Sequence, residues 1–423
     1  MKFEPQRGNR PTNRVRCVGM LFLRRMPSIV VHRVVAANAI SVFIDSPPAP
    51  PMSSVQLCTI QKCFSSQLVL DSLSLHVVAD EYFVLLGQSG CGKTTTLRVI
   101  AGIESPDAGS VLIGGQDVTS QQARKRDVSL MFQGDGLYPH MTVRQTLAYP
   151  IKGMLPAVEI ERRIACAARL LGLDTLLNRH PEKLSGGELR RAGLAKSVVR
   201  QATVRLLDEP LSALDGAVRY QFQQDLSRWH REIPGTTIHV THDGDEAMRM
   251  ADRIAVMHQG RIVQVGTPED IYHDPSCIAV AQSLGSPPIN LIKATLRGGQ
   301  LRLPWGASPA VAQGDVVEDP VVEDPVVVAI RPESFRLVNE PPAAPGFAVT
   351  AICRWRQIFG GRCHARFELD CRDNPSNDLK NEDLVNAILD QDCGVQVGDT
   401  VTLAVQSRDV QLFAGSGERI EWG

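Results

Sequence analysis

Three things are missing from this 423-residue chain. The first is a long apolar run. A helix needs about 20 predominantly apolar residues to cross a bilayer, and the best stretch, PSIVVHRVVAANAISVFI (27–44), is interrupted by His32, Arg33 and Asn38. A spanning helix is therefore not expected, and any service to a membrane runs through a partner. The second is cysteine pairing. None of the ten cysteines stands in a C-x-x-C pair, so the sequence suggests reduced thiols in a cytosolic compartment rather than a disulfide frame or a zinc site. The third is charge of one sign. With 45 Lys and Arg against 46 Asp and Glu, nothing in the overall charge points to nucleic acid as partner, a local basic groove aside.

What is there divides into three parts. Residues 1–51 hold eight Lys or Arg against two acids and close on DSPPAPP, which can continue neither a helix nor a central strand. This extension is expected to be disordered or never translated, with Met52 as the true start. The other reading is a basic, acid-poor targeting peptide. From residue 52 to about 288, short apolar runs alternate with helical stretches. YFVLLG (82–87), VSLMFQ (128–133), VRLLDE (204–209) and TIHVTH (237–242) predict strands. AVEIERRIACAARLLGL (157–173) and GAVRYQFQQDLSRWHREI (216–233) predict amphipathic helices. The alternation implies a mainly parallel sheet covered on both faces. From 289 to 423 the pattern is short strands and turns, a small β domain, with LKNEDLVNAILD (379–390) as its one helix-like segment. VVEDP occurs twice running, at 316–320 and 321–325, and reads as a duplication in an acidic loop.

Two motifs carry chemistry. GQSGCGKT (87–94) fits G-x-x-x-x-G-K-[ST] after a strand and before a helix. Gly87, Gln88, Ser89, Gly90, Cys91, Gly92, Lys93, Thr94 and Thr95 are the expected phosphate cradle. Glycines let backbone N–H groups turn inward, and the helix start adds partial positive charge. Lys93 is placed for the β- and γ-phosphates and the Thr94 hydroxyl for Mg²⁺. VRLLDEP (204–210) ends a strand at Asp208, suited to the Mg²⁺ shell, and Glu209 follows where a carboxylate can deprotonate water. Arg205, in a strand expected to be buried on both faces, must snorkel to an edge or find a partner. Cys91 inside the loop is expected to be alkylated in the free enzyme and shielded by MgATP.

The chain from about 57 to 290 resembles the ATP-binding subunits of ATP-binding-cassette (ABC) transporters. LSGGE (184–188) is similar to the family signature, MFQGDGLYPHMTV (131–143) to its glutamine loop, LSALD (211–215) to its aspartate loop and VTHDGDEAM (240–248) to its switch-histidine loop. LYPHMTV, GRIVQVGTPEDIY (260–272) and GSPPINLI (285–292) resemble importer ATPases of the maltose and glycerol-phosphate type. VVVAIRPESF (326–335) and DVQLFAG (409–415) match their C-terminal domain. The resemblance implies an α/β P-loop NTPase of ABC type with a helical subdomain at about 134–200, followed by an all-β, OB-like or TOBE-like, regulatory and dimerising domain. It implies a head-to-tail pair of ATPase subunits in which Ser185, Gly186, Gly187 and Glu188 cap the ATP held by the other subunit. By the same resemblance Phe64 lies under adenine, with a core phenylalanine as the other reading. Gln133 touches Mg²⁺ or the attacking water, His242 contacts the γ-phosphate and Asp215 shapes the dimer interface.

The implied partners are two membrane permease subunits at the cytoplasmic face of the inner membrane and, indirectly, an external solute-binding protein, with no nucleic acid. Sugars or glycerol phosphates are the implied solutes; polyamine, ferric-ion and sulfate importers share similar ATPases. Two other classes remain: a soluble ABC ATPase acting on ribosomes or DNA, and a regulatory subunit that binds ATP but barely turns it over. Glu188 in place of the usual Gln, Gly244 where Gln is common, and the looser helix RRAGLAKS (190–197) make slow turnover a fair expectation.

Overall fold

The computed structural model describes residues 53–132, 136–212, 214, 216–297, 300–307, 324–338, 346–370 and 384–420. The basic extension lies outside the described residues, as do Gln133, Asp215 and the VVEDP repeat up to Glu323.

β1 (Val55–Phe64) and β2 (Gln67–Val77) form an antiparallel hairpin. β3 (Tyr82–Gly87) is buried throughout and leads into α1 (Lys93–Ala101). β4 (Ala108–Ile113) and β5 (Gln116–Asp117) return to β1, which completes a four-stranded antiparallel sheet. β6 (Val128–Met131) precedes three helices, α2 (Val143–Ala148), α3 (Ala157–Leu171) and α4 (Gly186–Arg200). Then come β7 (Val204–Asp208), α5 (Gly216–Glu232), β8 (Thr236–Thr241), α6 (Gly244–Met250), β9 (Arg253–His258) and β10 (Arg261–Gly266). The central sheet has the order β10-β9-β3-β8-β7-β6. It is parallel from β9 to β6, with β10 antiparallel at one edge. This is the α/β fold expected, but the separate antiparallel sheet was not foreseen.

The apolar runs explain these placements. Val84 and Leu86 of β3 pack on one side with Ala247 of α6, and Phe83 and Leu85 pack on the other with α1 and the antiparallel sheet. A strand buried on both faces needs apolar residues at every position. In α3 the buried residues Ile164, Ala167, Ala168 and Leu171 recur at helical spacing. They join α2, α4 and Trp229 of α5 in a third core cluster.

Two short helices, α7 (Pro268–His273) and α8 (Ile278–Ser283), lead to the remaining strands. These are β11 (Asn290–Arg297), β12 (Gln300–Leu303), β13 (Gly306–Ala307), β14 (Asp324–Ile330), β15 (Arg336–Val338), β16 (Gly346–Phe359), β17 (Arg362–Leu369), β18 (Leu384–Asp390), β19 (Thr400–Gln406), β20 (Val410–Ala414) and β21 (Arg419–Ile420). They make two antiparallel sheets, β13-β12-β11-β14-β20-β21 and β15-β19-β16-β17-β18, around one shared core. One expectation is corrected here. The helix-like LKNEDLVNAILD contains strand β18, paired with β17 from Glu368↔Leu384 to Arg362↔Asp390. Val385, Ala387 and Leu389 are buried in alternation, and that period of two, with a waiting partner strand, overrides local helix propensity.

Candidate functional site

Parallel register brings the chemistry to one edge. Leu86 of β3 pairs with Thr241 of β8, and Asp208 of β7 pairs with Val240. Gly87, Asp208 and His242 therefore all emerge at the carboxyl ends of adjacent strands, where open α/β sheets bind ligands.

The phosphate loop turns between β3 and α1. A Cβ at Gly87 would stand 2.4 Å from the Met257 carbonyl oxygen, and Gly92 has φ 109° at the N-cap of α1. Neither position accepts a side chain without displacing backbone or core atoms. The Lys93 ammonium folds back over the loop, donating to the carbonyls of Gly87 (2.8 Å) and Gln88 (2.9 Å). The Thr94 hydroxyl donates to Asp208 Oδ1 at 3.0 Å. A hydroxyl and a carboxylate in contact beside a phosphate cradle are hard oxygen donors of the kind Mg²⁺ takes together with substrate phosphates and water. These residues therefore fit the ion. Burial pushes the Asp208 carboxyl above its ordinary value, Thr94 opposing. Burial likewise pushes the Cys91 thiol up, against the pull of Lys93. Alkylation of Cys91 is then slower at neutral pH than for a free thiol.

Glu209 has φ 46°, a left-handed conformation unusual for a residue with a side chain. Its N–H donates to the Val240 carbonyl (3.0 Å), and its own carbonyl accepts from the Ser212 hydroxyl (2.8 Å). Held this way, its carboxylate meets His242, with Oε1 3.2 Å from Nδ1. The His242 side chain is 53% exposed and open to the edge of the sheet.

The signature residues occupy another element. Ser185 is the N-cap of α4 and forms a capping box with Glu188. The Ser185 N–H donates to Glu188 Oε2 (2.7 Å), and so does the Ser185 hydroxyl (2.9 Å). Those bonds hold the Glu188 carboxyl below its ordinary value. Gly186 faces open space. Arg190, one turn on, donates to the Ser212 carbonyl (3.2 Å), which ties the signature helix to the loop after Glu209.

Phe64 ends β1 with 41% of its surface exposed, so it is not a core residue. The Lys62 ammonium lies 5.3 Å from its ring centroid and is itself bonded to the Ser105 carbonyl and to Asp107. Gln133 and Asp215 lie outside the described residues. Arg205 found partners rather than an edge. Its guanidinium lies 4.8 Å from the Trp229 ring centroid and donates to the carbonyls of Ile233 and Pro234.

The sequence reading missed the groups behind the switch. Thr241 accepts from the Asp243 N–H (3.0 Å) and donates to Glu246 (2.6 Å), and buried His239 meets the Tyr82 hydroxyl (3.0 Å). Polar residues inside the apolar TIHVT run were the available signal.

Comparison with known proteins shows the family. The ABC transporter family profile matches residues 70–212. The chain is 39% identical to an sn-glycerol-3-phosphate import ATP-binding protein of Rhizobium etli over 324 residues, covering 75% of this chain and 87% of that protein. The chain belongs to the ABC transporter family of ATP-binding proteins. Its member in Agrobacterium fabrum with the same description is 34% identical over 87% of this chain and all of that protein's length. A trehalose/maltose import ATP-binding protein of Thermococcus litoralis is 44% identical over 57% of this chain and 67% of its own. This ABC protein is an ATP hydrolase. Among the described residues no helix is long and apolar enough to cross a membrane.

Proposed function

We propose that this ABC ATPase powers uptake of a sugar or glycerol phosphate. It would act as a head-to-tail pair at the cytoplasmic face of the inner membrane and drive two permease subunits fed by an external solute-binding protein. Names of relatives support the solute class; no described feature calls for nucleic acid. The observation that carries the enzymatic part is the Glu209–His242 contact of 3.2 Å beside the Thr94–Asp208 pair.

In this reading the phosphate loop and Lys93 bind the phosphates, and Phe64 stacks under adenine. Thr94, Asp208 and Gln133 would hold Mg²⁺, which when bound screens charge on the phosphates. Glu209 takes the proton of the attacking water, and His242 holds the γ-phosphate and the carboxylate in register. Ser185, Gly186, Gly187 and Glu188 of one subunit cap the nucleotide of the other, with Asp215 at the interface, so closure gates hydrolysis. The domain limits that go with it are 52–288 for the ATPase and 289–423 for the β domain. The Glu188 carboxylate, where the resemblance has an amide, would set a negative charge beside the partner subunit's γ-phosphate, which favours slow turnover.

The test is Glu209→Gln. The variant is expected to bind MgATP and accumulate as a closed dimer, with hydrolysis down at least about a hundredfold, the scale of a lost general base. Hydrolysis at the normal rate would rule out Glu209 as the base.

A further inference from the structure

The segment that follows the switch histidine is gripped from the C-terminal part of the chain. Asp243, next to His242, caps α6 by accepting from the N–H groups of Asp245 (2.9 Å) and Glu246 (3.2 Å). Gly244, the first residue of α6, lies against the end of α8. A Cβ there would stand 2.5 Å from the Ser283 carbonyl oxygen and 3.1 Å from Leu284 Cα. Both are main-chain atoms that cannot swing aside, so only a hydrogen fits.

That end of α8 is held in turn by Arg331, which directly follows β14 and is 6% exposed. One guanidinium nitrogen donates to the carbonyls of Ala281 (3.1 Å) and Leu284 (2.7 Å), the other to that of Tyr272 (2.9 Å). The guanidinium lies 4.0 Å from the Tyr272 ring centroid, and the Tyr272 hydroxyl donates to Glu333. Ala247 of α6, Ile271 of α7, Val280 of α8 and Leu284 share one buried cluster. Contacts thus run unbroken from the end of β14 to within two residues of His242.

We propose that Arg331 and Gly244 are positioning residues for His242. Arg331 neutralises and fixes the carbonyls that end α8, as a cation at a helix C-terminus does. Its rigid fork serves three acceptors at once, which a lysine cannot reproduce. Gly244 lets that fixed end set the N-terminus of α6, and with it the switch loop. A shift of the C-terminal strands would then reach the hydrolytic site as a displacement of His242. The inference rests on the reading of His242 as the γ-phosphate contact.

Arg331→Lys, Gly244→Ala, their double variant and His242→Ala, each in the full chain, test it through kcat and KM for ATP together with thermal unfolding. His242→Ala should lose hydrolysis. Each positioning variant should lower kcat about tenfold with KM within about twofold. The double variant should be no slower than the worse single one, since both act on one contact. Normal hydrolysis by His242→Ala would sink the reading of the site itself. An inactive His242→Ala beside normal kcat in Arg331→Lys and Gly244→Ala, or multiplicative losses in the double variant, would sink the positioning role alone.

Gly244→Ala can also unfold α6, so hydrogen exchange on Glu209→Gln with and without MgATP provides a second measurement. Amides 243–248 and 281–285 should gain protection together. Protection confined to 243–248 overturns the proposal.

Discussion

Glu188 shows how one atom's difference redirects a site. A carboxylate there accepts two bonds from Ser185, whose hydroxyl also receives the Glu188 N–H. It further places a negative charge where the proposed dimer would bring a γ-phosphate. Glu188→Gln keeps the capping geometry, since an amide oxygen can accept the same bonds, but removes the charge. Turnover is expected to rise about threefold, a modest gain because the site is exposed and screened. ATPase assays at low and high salt check it: the gain should shrink as salt increases, and a slower Glu188→Gln would contradict the argument. The left-handed Glu209 is a second residue-scale feature. Its strain is held by bonds to Val240 and Ser212, and nothing in the letters DEP announces it.

Strands β7 and β8 carry ionisable side chains, Arg205 and His239, that a doubly covered strand does not normally tolerate. Burial lowers the Arg205 guanidinium to about 10, yet its removal leaves the Ile233 and Pro234 carbonyls without their donor. Arg205→Met should therefore destabilise by about 1–3 kcal/mol, the cost of unpaired buried acceptors less the relief of desolvation. Denaturant unfolding measures this, and an unchanged midpoint would show that the two effects cancel.

His239 gives strand β8 a pH dependence. Burial depresses it to about 3, far below its ordinary 6.5, so folding favours the neutral ring. That contribution is complete above pH 6.5 and is lost as pH falls toward 3. Glu246, 3.8 Å away, acts in the opposite sense because burial raises its carboxyl. The comparison with His239→Gln, rather than the raw curve, therefore isolates the histidine. Between pH 7 and 5.5 the wild type should lose about 1 kcal/mol more than the variant. Equal slopes would refute it.

At the scale of the whole molecule, the signature sits at the head of α4, bonded within its own turn, while the phosphate loop, Asp208, Glu209 and His242 gather at the edge of the central sheet. A second subunit is what the proposed function supplies to unite them. Pull-down of the chain from detergent-solubilised membranes, followed by mass spectrometry, should recover two permease subunits. Ribosomal proteins, or nothing, would move the weight to the soluble or regulatory readings.

How much of this was legible in advance follows from range. The phosphate loop, the β7 strand ending in Asp208 and Glu209, the switch loop and the Ser185 cap are short stretches whose own backbone preferences and side chains define them. The structure gives them the local conformations their patterns predict, a strand-to-helix turn at 87–94, a strand ending at Asp208 and a helix N-cap at Ser185, while their roles belong to the proposed function. The strand at β18 was misjudged because its seven residues take their conformation from pairing with β17. The antiparallel β1–β2–β4–β5 sheet consists of two local hairpins, but the β1–β4 pairing that joins them brings together residues as far apart as Val55 and Ile113, which no short pattern announces. The Arg331 grip joins groups 47 to 59 residues apart, and Gly244 matters only because Ser283 approaches it. By itself the sequence determined the nucleotide chemistry, because phosphate recognition is local: glycines, a lysine and a hydroxyl within eight residues. Only the tertiary structure decided what braces the switch histidine, because a carbonyl 2.7 Å from a guanidinium is a fact of packing between distant segments, for which no short pattern of residues stands.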